Sequence, residues 1–312
     1  MDDEAMDSDV VTLTQELIRI DTSNYGESTE TVGEAAAADY CAERLREAGW
    51  DPEIVVTSSD PRRAVVLRIP GTDPNASALL VHGHLDVVPA LGSDWSHPPL
   101  GGVIDEGFIW GRGAVDMKNM DAMMLAVMRD WGRSGVRPRR DMVFAFLPDE
   151  EAGSVHGSNW LVEHRADLFA GVTQAISEVG GFSVTIHDDL RLYPVQTAEK
   201  GFTWLRLHAA ARAGHGSMLH PDNAITALAA AVTRIGQHTW PVHRTPTVQR
   251  FLDELSEATG LDVSDLQGEA LVERLGTLAY LVGATMQNTA NPTVLDAGYK
   301  ANVIPSDAYA QI

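Results

Sequence analysis

Positive charge is scarce in this chain. Twenty-three lysines and arginines stand against 44 aspartates and glutamates, a formal net charge of −21 over 312 residues. A surface so acidic repels phosphate backbones and anionic headgroups, which argues against nucleic acid and membrane surfaces as partners. Cysteine is almost absent. A single one, Cys41, excludes a disulfide framework and points to a reducing, cytoplasmic setting. Inside a helical pattern it reads as a small buried hydrophobe. No apolar run reaches the ~18 residues that a spanning helix needs. The acidic start, MDDEAMDSDV, has neither the basic nor the apolar region of a secretion signal. Repeats and low-complexity tracts are missing too, which sets aside a repeat architecture.

What is present suffices for a sizeable core: 44% of residues are hydrophobic, and one or two domains are expected. Helical spacing marks Val10 to Ile20, ended by the turn formers Asp21-Thr22-Ser23-Asn24, and an Ala-rich stretch from Thr31 to Ala48 closed by Gly49. Strands are expected at Glu53–Val56, Ala64–Ile69, Ala78–His84, Met142–Leu147 and around Ala175–Ser177. A hairpin is expected over Gly102–Trp110, turning at Asp105-Glu106-Gly107. A Met-rich helix should run from Lys118 to Trp131, ending near Gly132, its methionines packed on the sheet. A further helix is expected from Ser158 to His164. This alternation predicts an α/β fold with a mainly parallel central sheet flanked by helices. From about Lys200 the pattern changes. Phe202–Ala209 alternates, an Ala-rich helix follows Pro221-Asp222-Asn223, helical sequence extends to about Leu275, and strands are expected at Thr293–Asp296 and Ala308–Ile312. The expected division is a first domain over 1–198 and a smaller α+β domain over 199–312.

Chemistry-bearing residues gather at strand ends. VHGHLDVVP carries His82, His84 and Asp86 on one parity, so an extended strand points them to one side. Asp116 lies in the Gly-rich GRGAVDMKN, Glu150 and Glu151 end one strand, and Glu178 ends another. In open α/β sheets the site forms at these carboxyl ends. So many converging carboxylates repel one another unless a cation sits among them. Histidine with carboxylates suits Zn²⁺, with Co²⁺ or Mn²⁺ as alternatives. Taken singly, each residue has a plainer role: Asp116 as a helix cap, Glu150 and Glu151 as a solvated acidic turn, His82 as structural support, and His97, His156 and His220 as loop residues.

Together, HGHLDVVP, GRGAVDMKN, PDEEAGS and SEVGG resemble the di-zinc aminoacylase/carboxypeptidase family that includes acetylornithine deacetylase, succinyl-diaminopimelate desuccinylase, carnosine dipeptidase and bacterial glutamate carboxypeptidase. The resemblance implies a zinc-exopeptidase-like fold with an inserted lid/dimerisation domain. It implies His84, Asp116, Glu151 and Glu178 as metal ligands, with Asp116 bridging two zinc ions and Asp86 orienting the His84 ring. It makes Glu150 the general base acting on a water held between the metals. His215, in AGHGS, would stabilise the oxyanion across a homodimer, and Asn302, in KANVIPSDA, would lie near the substrate. A cis peptide is implied at Asp116-Met117.

The family's final histidine ligand and substrate-binding arginine have no counterpart before Ile312, where the chain stops within an expected lid strand, and His220, His238 and His243 match no ligand motif. The expectation is a metal-dependent amide hydrolase acting on N-acyl amino acids or short peptides, here as part of a longer enzyme. The alternative is a metal-binding or dimerisation fragment without catalysis. A two-metal phosphoesterase is disfavoured because no basic residues cluster for phosphate.

Overall fold

The computed structural model describes residues 3–26, 31–178, 183–266, 270, 273–274 and 278–312. The helical stretch expected up to about Leu275 therefore falls partly outside the described residues. Packing divides the chain into two units, Met1–Gly181 and Phe182–Ile312, whereas composition placed the change at 198/199. Residues 182–198, including a short hairpin at Val184–Leu192, go with the second unit.

The first unit contains α1 (Asp3–Arg19), α2 (Ala35–Glu47), β1 (Glu53–Val56), β2 (Arg63–Ile69), β3 (Ala78–His84), the hairpin strands β4 (Val103–Asp105) and β5 (Phe108–Trp110), α3 (Lys118–Ser134), β6 (Met142–Leu147), α4 (Ser158–His164) and β7 (Val172–Ile176). Its main sheet has the order β1-β2-β6-β3-β7. Period-two alternation sorts its side chains. Val65, Leu67, Ile69, Phe144 and Phe146 face a core shared with α1, α2 and α3. Ala64, Val66, Val143, Ala145 and Leu147 face the other side, against Leu161 of α4. Cover on both faces explains the continuous apolar runs.

The sheet is mixed. The strands that lead to His84, Glu150 and Glu178 are parallel (β6–β3 and β3–β7), while β1–β2 and β2–β6 are antiparallel. For β1–β2 the reason is local: residues 57–62 are too few for the crossover that parallel neighbours need. Another expectation shifts at α3, which runs past Gly132 to a left-handed cap at Gly135. Gly132 serves packing instead, since a Cβ there would meet the Ala48 carbonyl oxygen at 2.3 Å. Met124 and Met128 are buried against the core as expected, but Met123 stays exposed.

The second unit contains the hairpin β8 (Val184–His187) and β9 (Leu190–Leu192), β10 (Arg206–Ala210), β11 (Gly214–His215), α5 (Ala224–Gly236), α6 (Pro246–Thr259), α7 (Leu278–Thr285), β12 (Val294–Ala297), β13 (Val303–Ile304) and β14 (Asp307–Gln311). Strands β10, β14 and β12 form an antiparallel sheet with β14 central. Ala224 and Leu228 of α5 pack on Leu207, Ala209, Ala308 and Ala310. Asn223 caps α5 by accepting from the Thr226 amide. The strand expected from Phe202 begins only at Arg206. An alternating pattern needs a neighbouring ladder, and the pairing with β14 opens at Arg206↔Gln311. Among the described residues no helix is long and apolar enough to cross a membrane.

Candidate metal centre

Strand β3 lies between β6 and β7 and carries His84 to its carboxyl end, where the side chain is buried. The His84 ring is held on both sides. Nδ1 donates to the main-chain carbonyl of Asp86 at 2.9 Å, and Nε2 meets Asp116 Oδ1 at 3.0 Å and Glu178 Oε2 at 3.1 Å. Glu150 Oε2 follows at 3.8 Å. Asp116 comes from the loop before α3 and Glu178 from just beyond β7. The Asp116-Met117 peptide is cis, as the resemblance implies. His84, Asp116 and Glu178 each offer a ligand atom, all within 4.8 Å of one another.

The electrostatics show what the cluster lacks. Burial opposes a charge on His84, yet the Asp116 and Glu178 acceptors, with Asp86 and Asp121 nearby, override it and push the imidazole up to about 12. Asp116 is drawn down by the His84 hydrogen bond. Burial raises Glu150, and repulsion from Glu178, Asp86 and Asp116 adds to it against the attraction of His84. Burial and repulsion from Asp116 push Glu151 up to about 7. A protonated His84 ring thus stands among carboxylates where a divalent cation would neutralise more of this charge. One imidazole and several carboxylates are a donor set that fits zinc.

Asp86 meets the His84 ring through its main chain. Its carboxylate lies 3.6 Å from His84 Nδ1, and the ring bonds the Asp86 carbonyl oxygen instead. The carboxylate oxygens are already engaged: Oδ1 accepts from the Glu150 amide at 3.0 Å, and Oδ2 from the Glu151 amide at 3.1 Å and Asn24 Nδ2 at 2.8 Å. The loop after β6 closes on itself, with the Ser154 amide donating to the Asp149 carbonyl and the Gly153 amide to the Glu150 carbonyl. Gly157 fits only because it has no side chain, since a Cβ would lie 1.8 Å from the Pro148 oxygen.

Sequence reasoning passed over several residues around this centre. Asn24 reads as a turn former, Arg62 belongs to no motif, and Asp149 is the less conspicuous acid of PDEE. Lys118 and Asp121 look like ordinary helix polars, yet both are buried. Only spacing could have flagged the last two, since they fall on the apolar face of α3. His82 stands outside the ligand cluster, 3.4 Å from Ser177 Oγ. His97 sits on Trp110 and Asp105, and the His156 amide donates to Asp149.

In the second unit, His215 and Asn302 come together. β11 pairs with β13, and Asn302 Nδ2 stands 3.4 Å from His215 Nε2, both exposed. His215 Nδ1 lies 2.8 Å from the Ser217 hydroxyl.

A family profile described as Peptidase family M20/M25/M40 matches residues 80–289, about two thirds of the chain. A probable carboxypeptidase S-like 2 of Dictyostelium discoideum is 30% identical over 261 residues, covering 78% of this chain and 48% of that protein. Aminoacylase-1 of Sus scrofa is 32% identical over 231 residues, covering 72% and 53%. The chain spans about half the length of the curated relatives it matches. Among solved structures, human carnosine dipeptidase 1 is similar in fold, with a TM-score of 0.68 at 17% identity over 99% of this chain and 69% of that one.

Proposed function

The chain belongs to peptidase family M20/M25/M40, and from that premise we propose that it is a metal-dependent amide hydrolase acting on N-acyl amino acids or short peptides. The observation that carries this reading is the convergence of Glu150 on the His84, Asp116 and Glu178 cluster, its Oε2 3.8 Å from His84 Nε2. His84, Asp116 and Glu178 would hold one zinc ion, and Asp116 with Glu151 would contribute to a second. Co²⁺ or Mn²⁺ would suit the same donors. When bound, such ions supply Lewis acidity that polarises an amide carbonyl and makes water acidic near neutral pH.

The chain's own residues do the rest. The half-exposed Glu150 carboxylate accepts the proton of the attacking water and returns it to the leaving amine. Its raised affinity for protons suits both transfers. Asp86 fixes the amides of Glu150 and Glu151, so the two neighbouring carboxylates keep separate tasks. His215 and Asn302, side by side in the second unit, would offer donors for the oxyanion and the substrate at a neighbouring subunit's site across a homodimer. The second unit serves as lid and dimerisation domain, and the sheet edges at β10 and β12 are candidate surfaces for a second copy. One cysteine and the strong negative charge favour a cytoplasmic location and no nucleic-acid or membrane partner.

Glu150→Gln tests the reading. With zinc or cobalt present, hydrolysis of N-acyl amino acids and dipeptides should fall by about 10²- to 10⁴-fold, while the metal content per chain stays the same. Unchanged turnover would overturn the base assignment. No hydrolysis of any such amide by a full-length version that supplies the final histidine and the arginine would overturn the activity.

A further inference from the structure

We propose that Asn24 and Arg62 are positioning residues for Glu150 and Glu151, acting through Asp86 and Asp149 in one buried polar network. The proposal rests on the reading of Glu150 as the base and Glu151 as a ligand. It begins from the two main-chain amides that Asp86 holds. A fully buried carboxylate in contact with neutral amides needs compensation nearby. Among the described residues no cation touches Asp86 except the His84 ring at 3.6 Å. The other partner of its Oδ2 is the Asn24 amide group.

Asn24 is oriented by its neighbours. Its Oδ1 accepts from Arg62 Nη2 at 3.3 Å and from the Gly26 amide at 2.9 Å. Its Nδ2 donates to Asp86 Oδ2 at 2.8 Å and Asp149 Oδ1 at 3.3 Å. A flipped amide would set its NH₂ against a guanidinium and its oxygen against two carboxylates, so one orientation is strongly preferred. Arg62 spans the network with its planar fork, reaching Glu34 Oε1 at 2.6 Å through Nη1 and Asp149 Oδ1 at 3.0 Å through Nη2. All five residues, Asn24, Glu34, Arg62, Asp86 and Asp149, are buried. One guanidinium thus serves three carboxylates, directly for two and through Asn24 for the third.

Asp149 links this network to the loop. It has φ +67°, a left-handed conformation that costs a non-glycine residue energy unless its surroundings hold it. Here they do: Oδ1 receives Arg62 and Asn24, and Oδ2 accepts from the His156 amide at 2.8 Å. The backbone that presents Glu150 and Glu151 is therefore pinned twice, by Asp149 immediately before them and by Asp86 beneath their amides. Sequence-distant segments at 24 and 62 decide where the acidic pair points.

Amide hydrogen exchange on the whole chain tests this without needing turnover. In the unsubstituted protein the Glu150 and Glu151 amides should exchange at least ~10²-fold slower than an unstructured loop, despite their half-exposed side chains. Asn24→Ala should accelerate these two amides by at least ~10-fold and leave the β3 and β6 amides unchanged. It should also lower kcat by about 10- to 100-fold with KM little altered. Should Asn24→Ala fail to fold, Arg62→Lys, which keeps the charge and loses the fork, is read the same way. Uniform acceleration across the first unit, which a merely structural role gives, would overturn the proposal, as would unchanged exchange at Glu150 and Glu151. Glu150→Gln turnover is independent of these outcomes, so failure of the base assignment and failure of the network are told apart.

Discussion

Asp121 lies on the buried face of α3, behind the strand that carries His84, and neither carboxyl oxygen has a hydrogen-bond partner among the described residues. Its Oδ1 occupies the space that a Cβ on Gly83 would need, 2.4 Å away. Burial, only partly offset by His84 and Lys118, pushes the carboxyl up to about 8 from 3.8. The native state therefore keeps a proton that the unfolded chain gives up. The stabilisation is fully present below about pH 3.8 and is lost as pH rises to about 8. Asp121→Asn cannot ionise, so it should flatten the decline of the urea midpoint between pH 4 and 8 and make the variant more stable than the parent, relative to pH 5, at pH 9. Equal slopes for the two proteins would refute this. The same burial that raises Asp121 lowers Lys118 to about 8, and Nζ donates to the carbonyls of Leu17 and Ile20 at 3.0 and 2.8 Å. Lys118, two positions from a candidate ligand, thus ties the end of α1 to the start of α3.

At the scale of elements, the loop from Pro148 to Gly157 does more than end β6. It turns through positive φ at Asp149, Gly153 and Ser154 and presses Gly157 against its own beginning. Gly157→Ala should force the loop to move, at a cost of about 1–3 kcal/mol. Gly107→Ala, in the open turn of the β4–β5 hairpin with φ +82°, should cost about 1 kcal/mol through backbone conformation alone. Denaturant unfolding of both variants checks the difference, and an equal effect would argue against the close fit at Gly157. Elements with strong local signals are legible in sequence. β1 and β6 keep their expected bounds because apolar and β-branched runs end at turn formers, and α4 keeps its own. Elements that depend on a partner are not: the strand at Phe202 shortens to the ladder that β14 provides, and α3 outruns Gly132 because packing against Ala48 admits a glycine inside a helix.

On the scale of the whole molecule, each unit has its own cores. Leu125 and Phe146 belong to the first, and Leu252, Leu255, Leu228 and Ala310 to the second. All three residues of the candidate ligand cluster, His84, Asp116 and Glu178, lie in the first unit. Zinc should therefore slow hydrogen exchange within Met1–Gly181 and leave the α6 amides unchanged, with a gain of about 2.7 kcal/mol at a hundred times Kd. Slowing spread equally over both units would contradict the assignment. With a net charge of −21, the metal-free protein should also gain stability from added NaCl, which screens its self-repulsion.

The α/β class and the strand ends that carry His84, Glu150 and Glu178 are legible in the sequence, because they follow from apolar periodicity and turn formers; the candidate ligand roles came with the family resemblance. It also placed His215 and Asn302 in the same domain, though only pairing of β11 with β13 brings them within 3.4 Å. Packing in three dimensions was needed for the antiparallel pairing of β2 with β6, for the choice of the Asp86 carbonyl over its carboxylate as the His84 partner, and for the recruitment of Asn24 and Arg62. Those outcomes depend on which distant groups compete for the same lone pairs once water is removed, and no local pattern encodes that competition.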